Sequence, residues 1–377
     1  APPALRLTAA YAGAEAARLA DRPDDAARGY DQALAAAEAA HDDAAAAKAL
    51  LGLAKLRQMA GVYADALDLA ARAEQAAGRA DAPGIGARAA NLLARLELFR
   101  GAGAATARAT CERAAGLARR ANADAMLACA LNLHGVLTLQ LDPGAKDEAL
   151  TMIREAIVLA EGASDLVELA AAIENLGNAH LALGELGEAR GAFARGAALC
   201  REHGIPVEGL SLDMNEALAT AELGDVAAIA LAEGVVARAE ALKRAFVRAV
   251  ALAALGQARW RAGRVAAARE AFDLALTGVQ AIGNKHAEEH IRLLRLEAWL
   301  AIGDLDAAGT EAGAAAGVGD ALATGVGEVA LPADRGAAGA AGVGRGTGVA
   351  PCAAPSTAAR RAERWLTSRK PRSSAWI

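Results

Sequence analysis

Along most of the chain the apolar positions recur with the three-to-four-residue spacing of an amphipathic helix rather than the alternation of a strand. The stretch from Ala170 to Leu199 shows this most regularly. Large apolar residues stand at Ile173, Leu176 and Phe193, and small ones at Gly177, Ala189 and Gly196. The pattern is interrupted at Gly184-Glu185-Leu186-Gly187. The spacing therefore predicts two short helices joined by a tight turn.

The same unit recurs. With Ala189 as the marker that opens the second helix, its equivalents are Ala26, Ala66, Ala107, Ala149, Ile229, Ala268 and Ala308. In chain order the steps are 40, 41, 42, 40, 40, 39 and 40 residues, too regular for chance. Four positions after each marker come Tyr30, Ala70, Cys111, Ile153, Phe193, Glu233, Phe272 and Ala312. The sixth and eighth copies are degraded, but the pattern holds through most of them. Turn glycines precede most markers (Gly61, Gly144, Gly184, Gly224, Gly263, Gly303), with Asp21 in the first copy. Single copies of this size cannot bury their apolar faces, whereas stacked neighbours can.

These features resemble the tetratricopeptide (TPR) repeat. Leu176-Gly177 and Leu255-Gly256, with Leu53-Ala54 and Leu93-Ala94, fall where that family packs its first helix, and a small residue opposite a large one lets paired helices interlock. The resemblance implies an all-α, right-handed α-solenoid of about eight helix-turn-helix repeats over residues 1–312. The ordinary period is about 34 residues, and the six or so extra residues amount to about 9 Å of helix, roughly a turn on each helix. HEAT and armadillo repeats share the longer period and are the rival architecture. Repeats of about 40 residues are also similar to the sensor region of large LuxR/MalT-type bacterial transcription regulators, where they lie between an ATPase and a helix-turn-helix.

After Ala308 the character changes. Gly309 to Gly348 holds 12 glycines in 40 residues, and each costs about 1 kcal/mol in a helix relative to Ala. Residues 313–377 accordingly read as a low-complexity Gly/Ala-rich tail, either a disordered linker or a stretch of GC-rich codons read out of frame. It ends in Arg360, Arg361, Arg364, Arg369, Lys370 and Arg372, with Trp365 and Trp376 interleaved. Such basic clusters are mostly solvated, although they suit acidic surfaces.

Composition narrows the function. Aromatics make up 3% of the chain, so its core is expected to be built largely from Ala, with closely approaching helices. Asp and Glu outnumber Lys and Arg by 45 to 40, which argues against a whole-body nucleic-acid binder. Cys111, Cys129, Cys200 and Cys352 are scattered, as expected of buried thiols in a reducing compartment. No apolar run looks long and charge-free enough to span a membrane. The chain opens on Ala1 without a signal pattern, which reads as a fragment or processed product located in the cytoplasm.

Few motifs carry chemistry. His286-Ala287-Glu288-Glu289-His290 spells the inverted zincin pattern, with two His on one helix face, and a metal-dependent hydrolase is the remote alternative it raises. The setting, an amphipathic first helix, favours a polar turn. There is no P-loop and no Gly-x-Ser-x-Gly, so no enzyme, cofactor or resident metal is expected. Of the single histidines, His134 and His180 fall near packing positions.

A better signal is a ladder of asparagines. Asn91, Asn132, Asn175 and Asn215 step by 41, 43 and 40 residues, with Asn178 one turn beyond Asn175. In the resembling family first helices line a concave groove, which would place the ladder there, together with Lys55, Gln257, Trp260 and Arg261. Asn offers both donor and acceptor, suited to an extended peptide backbone. The expected partner is a peptide or protein, or a small-molecule inducer, in that groove. No membrane is expected, and nucleic acid only through domains absent from this chain.

Overall fold

The computed structural model describes residues 3–20, 22–60, 62–99 and 103–325. Among them every regular element is helical, and the chain forms an α-solenoid of paired helices. The first four pairs are α1 (Pro3–Leu19) with α2 (Pro23–Ala39), α3 (Asp43–Met59) with α4 (Tyr63–Arg79), α5 (Pro83–Phe99) with α6 (Ala104–Arg120), and α7 (Asp124–Leu141) with α8 (Lys146–Gly162). Next come α9 (Leu166–Ala182), α10 (Leu186–His203), α11 (Pro206–Glu222) and α12 (Ala228–Ala241). The last are α13 (Ala245–Arg261), α14 (Val265–Ala281), α15 (Lys285–Ala301) and α16 (Leu305–Gly325). The chain divides into two compact units, Ala1–Ala179 with Ala198–Glu208, and His180–Ala197 with Gly209 onward.

Local signals account for the helix limits. Pro23, Pro83 and Pro206 occupy first helical positions, where a missing N–H costs nothing. Asp42 and Asn284 cap α3 and α15 by accepting from the backbone N–H groups of Ala45 and Ala287, each at 2.9 Å. Gly184, Gly224, Gly263 and Gly303, four of the expected turn glycines, adopt the left-handed conformation that closes a first helix. Gly144 instead sits in a turn of 3₁₀ helix (Pro143–Ala145), its N–H held by Asp142 at 2.8 Å. Asp21 and Gly61 lie outside the described residues.

The opposite junctions, from second helix to next first helix, close the same way. Here the left-handed residues are His41, Asp81, Asn122, Ser164, Gly204, Lys243 and Gly283. Only two are glycine, so composition gave no sign of them. Each is stabilised by a backbone bond reaching back over the helix end, such as Ala82 N–H to Ala77 O and Arg244 N–H to Ala239 O.

The repeat markers are core residues. Ala26, Ala66, Ala107, Ala149, Ala189, Ala268 and Ala308 are completely buried, and so are Tyr30, Cys111, Ile153, Phe193 and Phe272 four positions on. In the sixth copy Glu233 is exposed, and α12 shortens to 14 residues. Gly52 faces the ring of Tyr30, Gly135 faces Ile153, and Gly256 faces Phe272, each too close for a methyl group. Small against large is thus how these helices interlock.

Two expectations need correction. The helical pattern does not end near residue 312, because α16 continues through Gly313 and Gly317 to Gly325. Its Ala308, Ala312 and Ala315 are buried in a helix packed on α15, whereas nothing approaches Gly313 or Gly317. Packing on one face therefore offsets the cost of glycine on the other. The remainder of the proposed tail, including its basic cluster, lies outside the described residues. Second, α7 is long and apolar enough by composition to cross a membrane. More than half of it is buried, where it packs between α6 and α8.

Candidate ligand groove

In the first unit the backbones of the odd-numbered helices α1, α3, α5 and α7 approach one another in succession, whereas among the described residues those of their even-numbered partners stay apart and meet through long side chains such as Arg113 with Glu74. First helices thus form the inner layer of the stack and second helices the outer one. In the second unit α13 and α15 repeat this relationship.

Five of the nine groove residues expected from sequence belong to the first unit. Asn91 is buried on α5, and its Nδ2 donates to the Met126 carbonyl of α7 at 2.9 Å. Asn132 is buried on α7 and works in both directions. Its Nδ2 donates to Glu168 Oε1 at 2.8 Å, and its Oδ1 accepts from Asn175 Nδ2 at 2.9 Å. The second oxygen of Glu168 takes the Cys129 thiol at 3.0 Å. Burial and that neighbouring carboxylate push the Cys129 thiol well above its ordinary range, which disfavours its thiolate form. Asn178 is buried, its Oδ1 without a partner among the described residues, and Lys55 is exposed.

The other four belong to the second unit. Asn215 and Gln257 are buried, and Gln257 Oε1 has no partner among the described residues. Trp260 and Arg261 are half-buried, and the guanidinium stands 5.6 Å from the indole centroid. Arg261 Nη1 donates to the carbonyls of Ala221 and Glu222 at 2.8 and 2.5 Å, tying α13 to the end of α11. Burial raises the Glu222 carboxyl to about 7; Arg261 opposes the shift and Glu297 adds to it. The structure therefore joins Asn132 to Asn175 and Trp260 to Arg261, and gives Asn91 a neighbouring backbone rather than a ladder rung.

Sequence reasoning missed several residues of the inner layer. Glu168 is the hub that Asn132 and Cys129 share. On α1, Glu15 accepts from Tyr30 Oη at 2.5 Å and from Arg18 Nη2 at 2.8 Å. Lys48, Arg88 and Arg95 are exposed like Lys55. A cavity of about 510 Å³ opens beside Lys48 and Arg88, floored by Ala82, Pro83, Ile85 and Met126. The signal was available: Arg88 and Arg95 follow Lys48 and Lys55 by one 40-residue step.

The zincin-like stretch has another use. Glu288 is buried and accepts from Gln280, Lys285 and Arg292 at 2.9–3.3 Å, while Arg292 and Arg295 also reach Glu311 of α16. Burial raises the Glu288 carboxyl, but these donors outweigh it and hold it at about 2. The side chain of His286 lies outside the described residues. Among those described, no group of three or more His, Cys, Asp or Glu residues is placed to hold a metal ion.

Helical pairs with an inner layer of first helices define the class: this is a TPR-like helical-repeat fold. No protein-family model and no curated protein matches the chain. Solved structures do. A Rap protein complexed with competence and sporulation factor aligns with a TM-score of 0.61 at 13% identity, over 85% of this chain and 98% of that one. The apo form of the quorum sensor NprR from B. thuringiensis aligns at 0.63 and 15%, over 84% and 87%. The Rap conjugation gene regulator of plasmid pLS20, in complex with the Phr* peptide, aligns at 0.58 and 13%, over 78% and 79%. At such identities the likeness is one of fold.

Proposed function

We propose that this chain is a non-enzymatic scaffold that binds a peptide or protein segment on its inner layer of first helices. In this reading it is the sensor or interaction region of a bacterial regulator. The observation that carries the reading is the hydrogen-bonded polar cluster of Asn132, Glu168 and Asn175 on first helices of the first unit. Two of the proteins that share this fold were solved with a peptide or a signalling factor bound, which supports the reading. Ligand held by several first helices would favour the set of pair-to-pair interfaces that fits it, and so shift a pre-existing population.

The 40-residue period favours a second, narrower version, in which the chain is the repeat region of a LuxR-type ATPase–TPR–helix-turn-helix regulator. A small-molecule inducer would then replace the peptide.

The test begins with peptides selected on the purified chain from a random display library. Asn132→Ala/Asn175→Ala should weaken the selected peptides about tenfold or more, the loss of one or two good hydrogen bonds. Unchanged affinity in a folded double variant counts against the reading.

A further inference from the structure

Four cations stand in a two-by-two array on the inner layer of the first unit. Lys48 and Lys55 lie seven residues apart on α3, and Arg88 and Arg95 take the equivalent positions on α5. Seven residues at the helical rise place the two rows about 10 Å apart on one face. All four are exposed, and among the described residues none has an ion-pair partner.

Cations on the outer layer are used differently. Arg113 on α6 pairs with Glu74 on α4 at 3.3 Å and Arg120 with Asp81 at 2.8 Å, each stitching one helix pair to the next, while Arg79 joins Asp43 within the second pair at 2.7 Å. The inner four do no such work. They also crowd one another. Although the Lys55 side chain is accessible, the helices packed around it partly desolvate its ammonium and hold it below its ordinary range; Arg18, Arg88 and Arg95 add to this while Glu15 alone opposes it. Glu15 is itself committed to Tyr30 and Arg18. This concentration of positive charge occurs in a chain whose net charge is −5, so it is local rather than a consequence of composition.

We propose that the array recognises an extended acidic peptide, with carboxylates answering the two rows and an apolar side chain seated over Ile85 and Met126. In an extended strand the side chains that share a face, i with i+2 or i+4, lie about 7 or 13 Å apart, so acidic residues at those spacings bracket the roughly 10 Å between rows and come within reach of the long Lys and Arg side chains. The cavity floor beside Lys48 and Arg88 supplies the apolar contact. The proposal rests on the peptide-scaffold reading and names the ligand's chemistry within it.

The experiment titrates the full chain into fluorescein-labelled oligo-glutamate, oligo-glutamine and a single-stranded oligonucleotide, with anisotropy as the readout. Oligo-glutamate should bind, weaken with added sodium chloride, and lose about tenfold or more in Lys55→Gln/Arg95→Gln, as expected for two exposed charge contacts. Lys48→Gln/Arg88→Gln should lose a similar factor, whereas Arg72→Gln on the outer layer should not. All are exposed positions, and circular dichroism checks that the variants fold. Preference for the oligonucleotide, binding indifferent to these variants, or failure of oligo-glutamate to bind overturns the proposal. If display-selected peptides still bind through Asn132 and Asn175, only the acidic specificity has failed; if no peptide binds, the scaffold reading falls as well.

Discussion

Gly256 lies directly beneath the ring of Phe272: a methyl group added to it would sit 2.8 Å from Cδ1 and Cγ. The ring is completely buried and stacks edge-on against Trp299, with centroids 6.0 Å apart, so it has nowhere to retreat. The first helix of this repeat approaches its partner only because glycine leaves that space.

Gly256→Ala should therefore destabilise the second unit by about 1–3 kcal/mol, the usual cost of overpacking a rigid core. Gly234 in α12 is the contrast, since it is exposed and nothing lies within 4 Å of an added methyl. Gly234→Ala should stabilise by roughly 1 kcal/mol through helix propensity alone. Urea denaturation of the two variants reads opposite signs; equal signs would show that the interlock is not what limits this position.

Lys243 closes α12 in the left-handed conformation at φ 53°, a job that glycine does without steric cost. Lys243→Gly should raise stability by about 1 kcal/mol. Gly283, the equivalent residue one repeat later at φ 70°, should lose a comparable amount when changed to Ala. Thermal melts of the two variants test the pair, and a destabilised Lys243→Gly would show that the side chain, not the backbone, matters there.

The ion network of α15 and α16 should make the end of the described array acid-sensitive. The Glu288 carboxyl is held at about 2, below its value in an unfolded chain, so the folded form binds its proton less readily. Its contribution is fully present above about pH 5 and is lost as pH falls toward 2. Hydrogen exchange at decreasing pH should show α16 losing protection before α13. Glu288→Gln should remove most of that pH dependence, and simultaneous loss in both helices would contradict the account.

The fold was legible because the repeat leaves a physical trace at each step. Ala189 and its equivalents must be small, since a second helix comes within packing distance there, and the burial of seven alanines at this phase reflects that need. The second-to-first junctions left no such trace: His41, Asp81, Asn122, Ser164 and Lys243 share a backbone conformation, not a side-chain type. The candidate site was only partly legible. Asparagine spacing located Asn132 and Asn175 on neighbouring first helices, but their mutual hydrogen bond and its extension to Glu168 depend on the step being 43 residues rather than 40. The cations at Lys48, Arg88 and Arg95 obeyed the repeat register yet resembled ordinary surface charge until their lack of partners was visible. The extension of α16 beyond residue 312 was missed because glycine content outweighed its alanine face.

If ligand lies on the inner layer, hydrogen exchange of the full chain should slow on adding a display-selected peptide in α3, α5 and α7, around Lys55, Asn91 and Asn132, with α2, α4 and α6 unchanged. Protection confined to those outer helices would contradict it.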